Sequence, residues 1–208
     1  MTRGRKKDID NQEKAAYNVC ESPAAFPYDR GKVSRACILG ERLLQMRYWL
    51  TVQWPPYQDE RYRFRLRVWL RSNKEWAGRD LRSGDPVLVY QTISGRAIIH
   101  SHEDGRRERI RCVWGHSGII AVAEAAGPIK RDPQWPVWEY EDGRNRCWGC
   151  QASLTLVSSD GFVPRVQVNR ILGYSPRYTM RGFGAGTGLK EITKGQYQEL
   201  VAAFESRA

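Results

Sequence analysis

The chain has 208 residues, enough for one sizeable domain with an extension, and a formal net charge of +11. Most of its 34 Lys and Arg residues are arginines spread along the sequence, which favours an anionic partner, nucleic acid before a membrane surface. No run approaches the roughly 18 apolar residues of a membrane-spanning helix, and no apolar stretch follows the basic first residues. The five cysteines lack the spacing of a disulfide scaffold. We therefore expect a cytoplasmic protein, or a nuclear one in a eukaryote.

The first predicted strands follow an N-terminal extension. Residues 1–46 are polar or interrupted by proline and glycine, which predicts a partly disordered extension before a domain at 47–208. In that domain, β-rich or alternating runs predict strands at 47–52 (RYWLTV), 60–70 (ERYRFRLRVWL) and 86–91 (PVLVYQ).

The second half of the chain continues the strand pattern and ends in a helix. Strands are predicted at 96–100 and 108–114 around a turn at 103–105, and at 116–126, 152–157 and 163–169, with loop or edge strand over 130–148. Thr193-x-x-Gln196 is a capping-box pattern that begins a helix running to about residue 205. This inventory predicts an α+β fold that is mainly β, a small, partly open barrel with flanking helices.

Arginines alternate with other residues in two of these strands. Like-facing positions on a strand lie about 7 Å apart, close to a phosphate repeat, so the ladders could contact a nucleic-acid backbone. A solvated face or a charged edge that blocks aggregation is the alternative. The residues are Arg61, Arg63, Arg65 and Arg67 in the first ladder, and Arg107, Arg109 and Arg111 in the second.

Aromatic residues are abundant, with eight tryptophans and ten tyrosines. Most large aromatics form core, but Trp54 stands directly before Pro55-Pro56 at a strand end, and Trp76 lies in a polar loop. Aromatics beside basic residues at such places can stack a base taken out of a strand or duplex.

Two further motifs have simpler explanations than a metal or nucleotide site. Cys147-x-x-Cys150 could join Cys112 and His116 in a zinc site, but the spacing is only permissive, and ordinary half-buried thiols are the favoured interpretation. Residues 182–188 (GFGAGTG) lack the ending and context of a phosphate-binding loop, which favours a glycine-rich hairpin or a close backbone approach. No metal or other cofactor is predicted.

Three segments together carry a family resemblance. RYWLTVQWPP, followed by a tryptophan-containing polar loop, then RSGDPVLVYQT and HSGIIAVAEAAGP, resembles the EVE domain of the PUA-like superfamily, which is related to YTH and ASCH domains. The resemblance covers about residues 47–128, and the C-terminal part from Val166 is also similar to some EVE-like modules. It implies a small PUA-like β-barrel that binds nucleic acid.

The resemblance also implies where a base would bind. Related domains accommodate a modified base in an aromatic pocket, and the positions matching that pocket here are Gln53, Trp54, Trp76, Tyr90, Gln91 and Thr92. The Lys-Ser-Glu-Pro ending usual for the first strand is replaced by Val52-Gln53-Trp54-Pro55, so the family's base preference does not carry over.

We therefore expect a non-enzymatic module that recognises a modified or flipped-out base in DNA or RNA, with a possible companion nuclease or other effector. One alternative is an ASCH-like hydrolase of modified nucleosides that uses Lys74, Thr92 and Glu124; another is a basic protein-interaction module. In the favoured reading, Glu124 has a rim role at the end of its strand and pairs with a nearby arginine.

Overall fold

The computed structural model describes residues 46–62, 66–180 and 183–206. The expected extension therefore lies, except for its last residue, outside the described residues, as do Arg63, Arg65 and Gly182. The strands are β1 (Tyr48–Gln53), β2 (Arg67–Leu70), β3 (Pro86–Gln91), β4 (Ile98–Ser101), β5 (Arg107–Ile110), β6 (Gly118–Ala125), β7 (Lys130–Arg131), β8 (Val137–Tyr140), β9 (Asn145–Cys147), β10 (Cys150–Ser158), β11 (Val163–Pro164) and β12 (Leu189–Ile192). The helices are α1 (Arg165–Ile171), α2 (Phe183–Gly186) and α3 (Lys194–Glu205), with 3-10 helices at Glu60–Tyr62 and Ser72–Gly78.

The larger sheet is curled. Its strands run in the order β12-β1-β3-β6-β10-β2, with β11 beside β6 and β7 beside β10. Strands β1 and β3 are parallel and every other pair in this sheet is antiparallel. A hydrogen bond of 2.5 Å from Gln53 Nε2 to the Arg67 carbonyl links β1 to β2, the last strand in the order, so the sheet closes partly on itself.

Both faces of the neighbouring strands β1 and β3 are buried, and residues of opposite parity in these strands enter different clusters. Leu50 and Leu88 pack with the helix residues Leu200 and Phe204. Trp49, next to Leu50 in sequence, packs in the cluster that contains Val68, Leu70, Val87 and Cys150. Successive residues of a strand point to opposite faces of the sheet, so consecutive apolar residues in β1 and β3 fill both clusters.

A second sheet of four antiparallel strands, in the order β5-β4-β8-β9, carries its own small core of Tyr57, Ile98, Ile110 and Tyr140. With the curled sheet and three described helices, the structure confirms the predicted class: an α+β fold, mainly β, with a small, partly open barrel and flanking helices. Within the described residues, no helix is long and apolar enough to cross a membrane.

Several predicted elements are confirmed. The strands at the positions of β1, β3, β6 and β10 form, as does the hairpin of β4 and β5, whose turn has Gly105 at φ 82°. The capping box is present in full, since Thr193 Oγ1 accepts from Gln196 N at 3.2 Å and Gln196 Oε1 accepts from Thr193 N at 3.1 Å.

Two predicted strands are wrong in part. The strand expected over residues 60–70 starts only at Arg67, because Glu60–Tyr62 forms a 3-10 helix. The strand expected over 163–169 ends after two residues, where Pro164 caps the start of α1. Proline lacks an N–H for continued strand pairing and suits a helix start, so this boundary follows from its chemistry.

Two loop interpretations are also corrected. The segment expected as loop or edge strand over 130–148 contains three short strands, and β8 lies inside its sheet, between β4 and β9. The glycine-rich segment forms the short helix α2 instead of a hairpin. A close backbone approach is present there, because a Cβ on Gly184 would lie 2.1 Å from the Leu189 carbonyl oxygen.

Candidate functional site

The C-terminal ends of β1 and β3 bring three predicted site residues together. Gln53 and Gln91 occupy paired positions in the parallel ladder. The next residue, Thr92, donates its N–H to the Gln53 carbonyl at 2.9 Å, and its hydroxyl to the Gln53 and Ser94 carbonyls at 3.2 and 2.9 Å. The Thr92 hydroxyl is therefore already used as a donor within the protein.

The two glutamines each keep part of their hydrogen-bonding capacity. Gln53 uses its Nε2 on the Arg67 carbonyl, and Gln91 uses its Oε1 to accept from His116 N at 3.2 Å. Among the described residues, neither Gln53 Oε1 nor Gln91 Nε2 makes a hydrogen bond, and neither atom is buried without a partner. An acceptor and a donor thus remain available at neighbouring strand ends.

Tyr90, also predicted in the pocket, belongs to the core. Its ring is buried with Leu50 and Ile119, its hydroxyl lies 3.2 Å from Ser117 Oγ, and burial raises its pKa. Ser117 has φ 56°, in the left-handed region that non-glycine residues rarely occupy. Its carbonyl accepts from Arg165 N at 2.9 Å, so this conformation is held between the start of β6 and α1.

Trp54 extends from the end of β1 into an aromatic cluster. Its ring meets Tyr140 and Trp148 edge to face, with centroids 5.7 and 5.8 Å apart. It also lies against Gly95, where an added Cβ would come within 2.9 Å of Trp54 atoms. The indole is therefore fixed by packing against protein groups.

Trp148 is the aromatic residue that sequence reasoning missed. Its indole N–H donates to the Tyr140 hydroxyl at 2.8 Å, and the guanidinium of Arg71 lies 5.7 Å from its ring centroid. The guanidinium of Arg146 lies 4.7 Å from the ring of Tyr140. The Cys-x-x-Cys motif that contains Trp148 pointed to the thiols instead, although Arg144 and Arg146 stand four and two residues before Trp148 in the sequence.

Four arginines gather around one carboxylate beside these rings. Asp142 accepts from the guanidiniums of Arg146 and Arg96, the latter at 2.9 Å, and from the backbone N–H of Arg144 at 3.2 Å. Hydrogen bonds from Arg146 hold the pKa of Asp142 down at about 2. Burial lowers the pKa of Arg71, and repulsion from Arg146 lowers it further by a smaller amount. We call Asp142 and these four arginines the Asp142 cluster; it carries excess positive charge.

Trp76 stands apart from Trp54 in its contacts. It lies in the 3-10 helix that follows β2, its side chain is 55% exposed, and Lys74 Nζ lies 5.6 Å from its ring centroid. No ring contact between Trp54 and Trp76 occurs among the described residues.

The first arginine ladder is not continuous. Arg61 lies in a 3-10 helix and pairs with Asp59 at 2.5 Å, whereas Arg67 lies in β2, where it donates to Gln151 and covers the ring of Trp69. The expected single face of alternating arginines is therefore wrong for Arg61, because a turn precedes the strand.

The second ladder is in place but largely paired with acids. Arg107 and Arg109 form ion pairs with Glu139 and Glu141, across β4, over a shallow groove. Arg111, just beyond β5, has no carboxylate within ion-pair distance among the described residues. Any phosphate approaching Arg107 or Arg109 would compete with a carboxylate.

The cysteines of the possible zinc set lie in different surroundings. Cys112 packs with Trp54 on the core of the second sheet, and burial raises its pKa to about 11. Cys150 is in the barrel core, and the Cys147 thiol donates to the Trp135 carbonyl at 3.6 Å. In the described part of the chain, no group of three or more His, Cys, Asp or Glu residues is arranged to hold a metal ion.

Two of the residues suggested for a hydrolase, Thr92 and Glu124, lie far apart. Glu124 pairs with Pro86 at the beginning of β3, while Thr92 follows Gln91 at the other end. At about 3.3 Å per residue, Thr92 and Glu124 lie roughly 20 Å apart. Glu124 also has no arginine or lysine within ion-pair distance among the described residues, contrary to the expected pairing.

No protein-family model matches the chain, and a search of the curated proteins finds no match. Among solved structures, the crystal structure of human THYN1 protein in complex with 5-methylcytosine-containing DNA is similar to it, with a TM-score of 0.42 and 10% sequence identity. The similarity covers 75% of this chain and 96% of the THYN1 chain.

Proposed function

We propose that this chain is a nucleic-acid-binding module of the EVE type that recognises a modified or flipped-out base at the ends of β1 and β3. One observation carries the proposal: an unpaired acceptor and donor, on Gln53 and Gln91, lie beside an aromatic cluster that an excess of arginines covers. Bases present donors and acceptors on their edges, and phosphates require cations, so both parts of a nucleotide have a suitable contact.

The roles of the residues divide accordingly. Gln53 Oε1 and Gln91 Nε2 contact the base edge, with the Thr92 hydroxyl oxygen as a further acceptor, and Trp54 forms the wall behind them. The Asp142 cluster contacts the phosphates nearest this base. The exposed ring of Trp76, with Lys74 over it, stacks a second base elsewhere on the same strand.

The arginine ladders make a weaker contribution in this proposal. Arg111 contacts phosphate directly, whereas Arg107 and Arg109 must first exchange their carboxylate partners. Binding alone supplies no reaction, so any cleavage of the bound strand would come from a companion nuclease or other effector.

The test is a binding screen by fluorescence anisotropy. Oligonucleotides of DNA and RNA, single-stranded and duplex, would carry methyl, hydroxymethyl or acetyl groups on one base, with unmodified strands as reference. The proposal predicts salt-dependent binding and a preference for at least one modification. If the protein binds no oligonucleotide more tightly than a neutral protein does, the proposal is overturned and a basic protein-interaction module is favoured.

Variants separate the two roles. Arg71→Ala combined with Arg144→Ala should weaken binding to all sequences alike and reduce the salt slope by about 1 to 2. Gln91→Ala should reduce the preference for the modified base by roughly 2- to 10-fold, the range for one hydrogen bond. Arg79→Ala combined with Arg106→Ala is the matched control, since it also removes two positive charges, from exposed arginines that pair with Asp80 and Asp104. An equal effect of this control would show that only net charge matters.

A further inference from the structure

An exposed apolar tip stands beside the candidate site. Trp114 is 82% exposed, and Ile93 and Val113 are 52% and 39% exposed. Trp114 takes part in no ring contact among the described residues, whereas Trp54, Trp69, Trp135, Trp138 and Trp148 all do. Large aromatic side chains usually bury most of their surface, so a tryptophan this exposed is unusual.

The tip is held firmly by its backbone. Val113 N donates to the Pro56 carbonyl at 2.9 Å, and Gly115 N donates to the Ile93 carbonyl at 2.8 Å, so both neighbours of Trp114 are anchored. At Gly115 the backbones nearly touch, because an added Cβ would lie 2.0 Å from the Thr92 carbonyl oxygen. The Trp114 ring is therefore projected from a fixed support.

The support is the same part of the chain that carries the base-contacting groups. Ile93 follows Thr92 directly, and His116, two residues after Trp114, donates its N–H to Gln91. Arg111 stands three residues before Trp114, and the backbone N–H of Arg165 bonds the carbonyl of Ser117, three residues after Trp114. Neither arginine has a carboxylate within ion-pair distance among the described residues. An apolar tip on a segment with such cations is complementary to stacked bases between phosphates.

We propose that Trp114, supported by Ile93 and Val113, is a wedge that enters a nucleic-acid duplex and takes the place of a base displaced towards Gln53 and Gln91. This inference rests on the proposed function and extends it to duplex substrates. Apolar side chains inserted at a base step unstack it, and extrusion of the target base then costs less.

The experiment compares wild type, Trp114→Ala and Trp114→Phe on one sequence, as single strand and as duplex, in both DNA and RNA. 2-Aminopurine next to the target base reports unstacking by its fluorescence. Trp114→Ala should lose at least tenfold in affinity for the duplex and lose the fluorescence increase, with less than threefold change on the single strand. Trp114→Phe should retain most of both signals.

Controls make each outcome decisive. Leu156→Ala removes an exposed apolar side chain of β10 and should behave as wild type, and unchanged thermal unfolding confirms that the variants fold. Equal losses on single strand and duplex, or no loss on either, would overturn the wedge. So would wild-type self-association that Trp114→Ala abolishes, because a second copy would then be the occupant. Wild-type binding without a fluorescence change rejects the wedge alone, whereas no wild-type binding at all rejects the proposed function.

Discussion

At the scale of single residues, Ser117 combines backbone strain with a polar contact. Its left-handed φ of 56° costs about 1 kcal/mol for a residue with a Cβ, and its hydroxyl contacts the hydroxyl of buried Tyr90 at 3.2 Å. Strained residues gather at functional sites, and this one lies between the exposed tip at Trp114 and the first residue of β6.

We predict that Ser117→Gly is more stable than Ser117→Ala by about 1 kcal/mol in the free energy of unfolding. Both variants lose the contact with Tyr90, but only glycine relieves the left-handed strain. Urea denaturation with a common m-value measures the difference. An alanine variant as stable as the glycine variant would mean that Ser117 is not held in this conformation.

Asp142 gives a second prediction, on pH. Hydrogen bonds from Arg146 lower its pKa to about 2 in the folded protein, below about 3.9 for an unfolded aspartate. A lowered folded-state pKa stabilises the protein above the unfolded pKa, and this contribution disappears as the pH falls through the folded pKa. The Tm difference between wild type and Asp142→Asn should therefore be constant above about pH 5 and shrink between about pH 4 and pH 2.

A destabilised variant without a titrating group is the control for this measurement. Thr193→Ala removes the capping box of α3, at a cost of about 1 kcal/mol, and changes no ionisable group. Its Tm difference from wild type should be the same at every pH at which both proteins unfold cooperatively. If the Asp142→Asn difference is equally independent of pH, the ion pair with Arg146 does not form in solution.

At the scale of elements, the sequence predicted best where local chemistry and burial agree. The strands β1, β3 and β6 are apolar runs bounded by turn residues, and the capping box at Thr193 begins α3 as predicted. The turn at Ser83-Gly84-Asp85, directly before β3, is held by Asp85, which accepts from the Trp49 indole N–H at 3.1 Å and from Arg82 N at 2.9 Å. Alternation and capping act over a few residues, so they can be read from the sequence.

The errors arise where two local signals compete. Arginine alternates with Tyr, Phe and Leu over residues 61–67 of the sequence, yet Arg61 bonds back to Asp59 and closes a turn before β2. At residues 163–169, the β-branched valines favoured a strand. Pro164 has no N–H for continued strand pairing, so the strand ends there and α1 begins at the next residue. In both segments a strand pattern in the sequence is overridden by the local effect of one residue, Arg61 or Pro164.

The candidate site was predicted in part for a related reason. Gln53, Gln91 and Thr92 meet because they stand at the ends of adjacent parallel strands. The family resemblance assigned these residues to one pocket, whereas the strand pattern alone does not show which strands pair. Trp148, Asp142 and Trp114 were missed, because their roles depend on how the second sheet and its connections lie against Trp54 and Gly95. Contacts between distant segments leave no periodic pattern in a sequence.

At the scale of the whole molecule, the position of the acidic residues matters more than the formal charge of +11. Carboxylates neutralise Arg61, Arg107 and Arg109, whereas the Asp142 cluster has one carboxylate for four arginines. Within the described residues, an excess of positive charge therefore lies beside the aromatic cluster at the strand ends, where it would attract a polyanion.

The ladder of β5 tests this view of the charge distribution. In Glu139→Gln combined with Glu141→Gln, Arg107 and Arg109 lose their carboxylates and become available to phosphate. We predict tighter binding to every oligonucleotide that the wild type binds, and a salt slope that is steeper by about 1 to 2, because each new phosphate contact adds about 0.9. Exposed ion pairs contribute only about 0 to 1 kcal/mol each, so the fold should persist.

The matched control carries the same change of formal charge at the hairpin turn, through Glu103→Gln combined with Asp104→Asn. If the ladder contacts phosphate once its acids are gone, only the Glu139 and Glu141 variant changes the salt slope, although both raise affinity through the longer-range field. Equal slopes for the two double variants would place the ladder outside the interface. The exchange of carboxylate for phosphate would then play no part in binding, and the arginines of β5 would serve to hold β8 against β4.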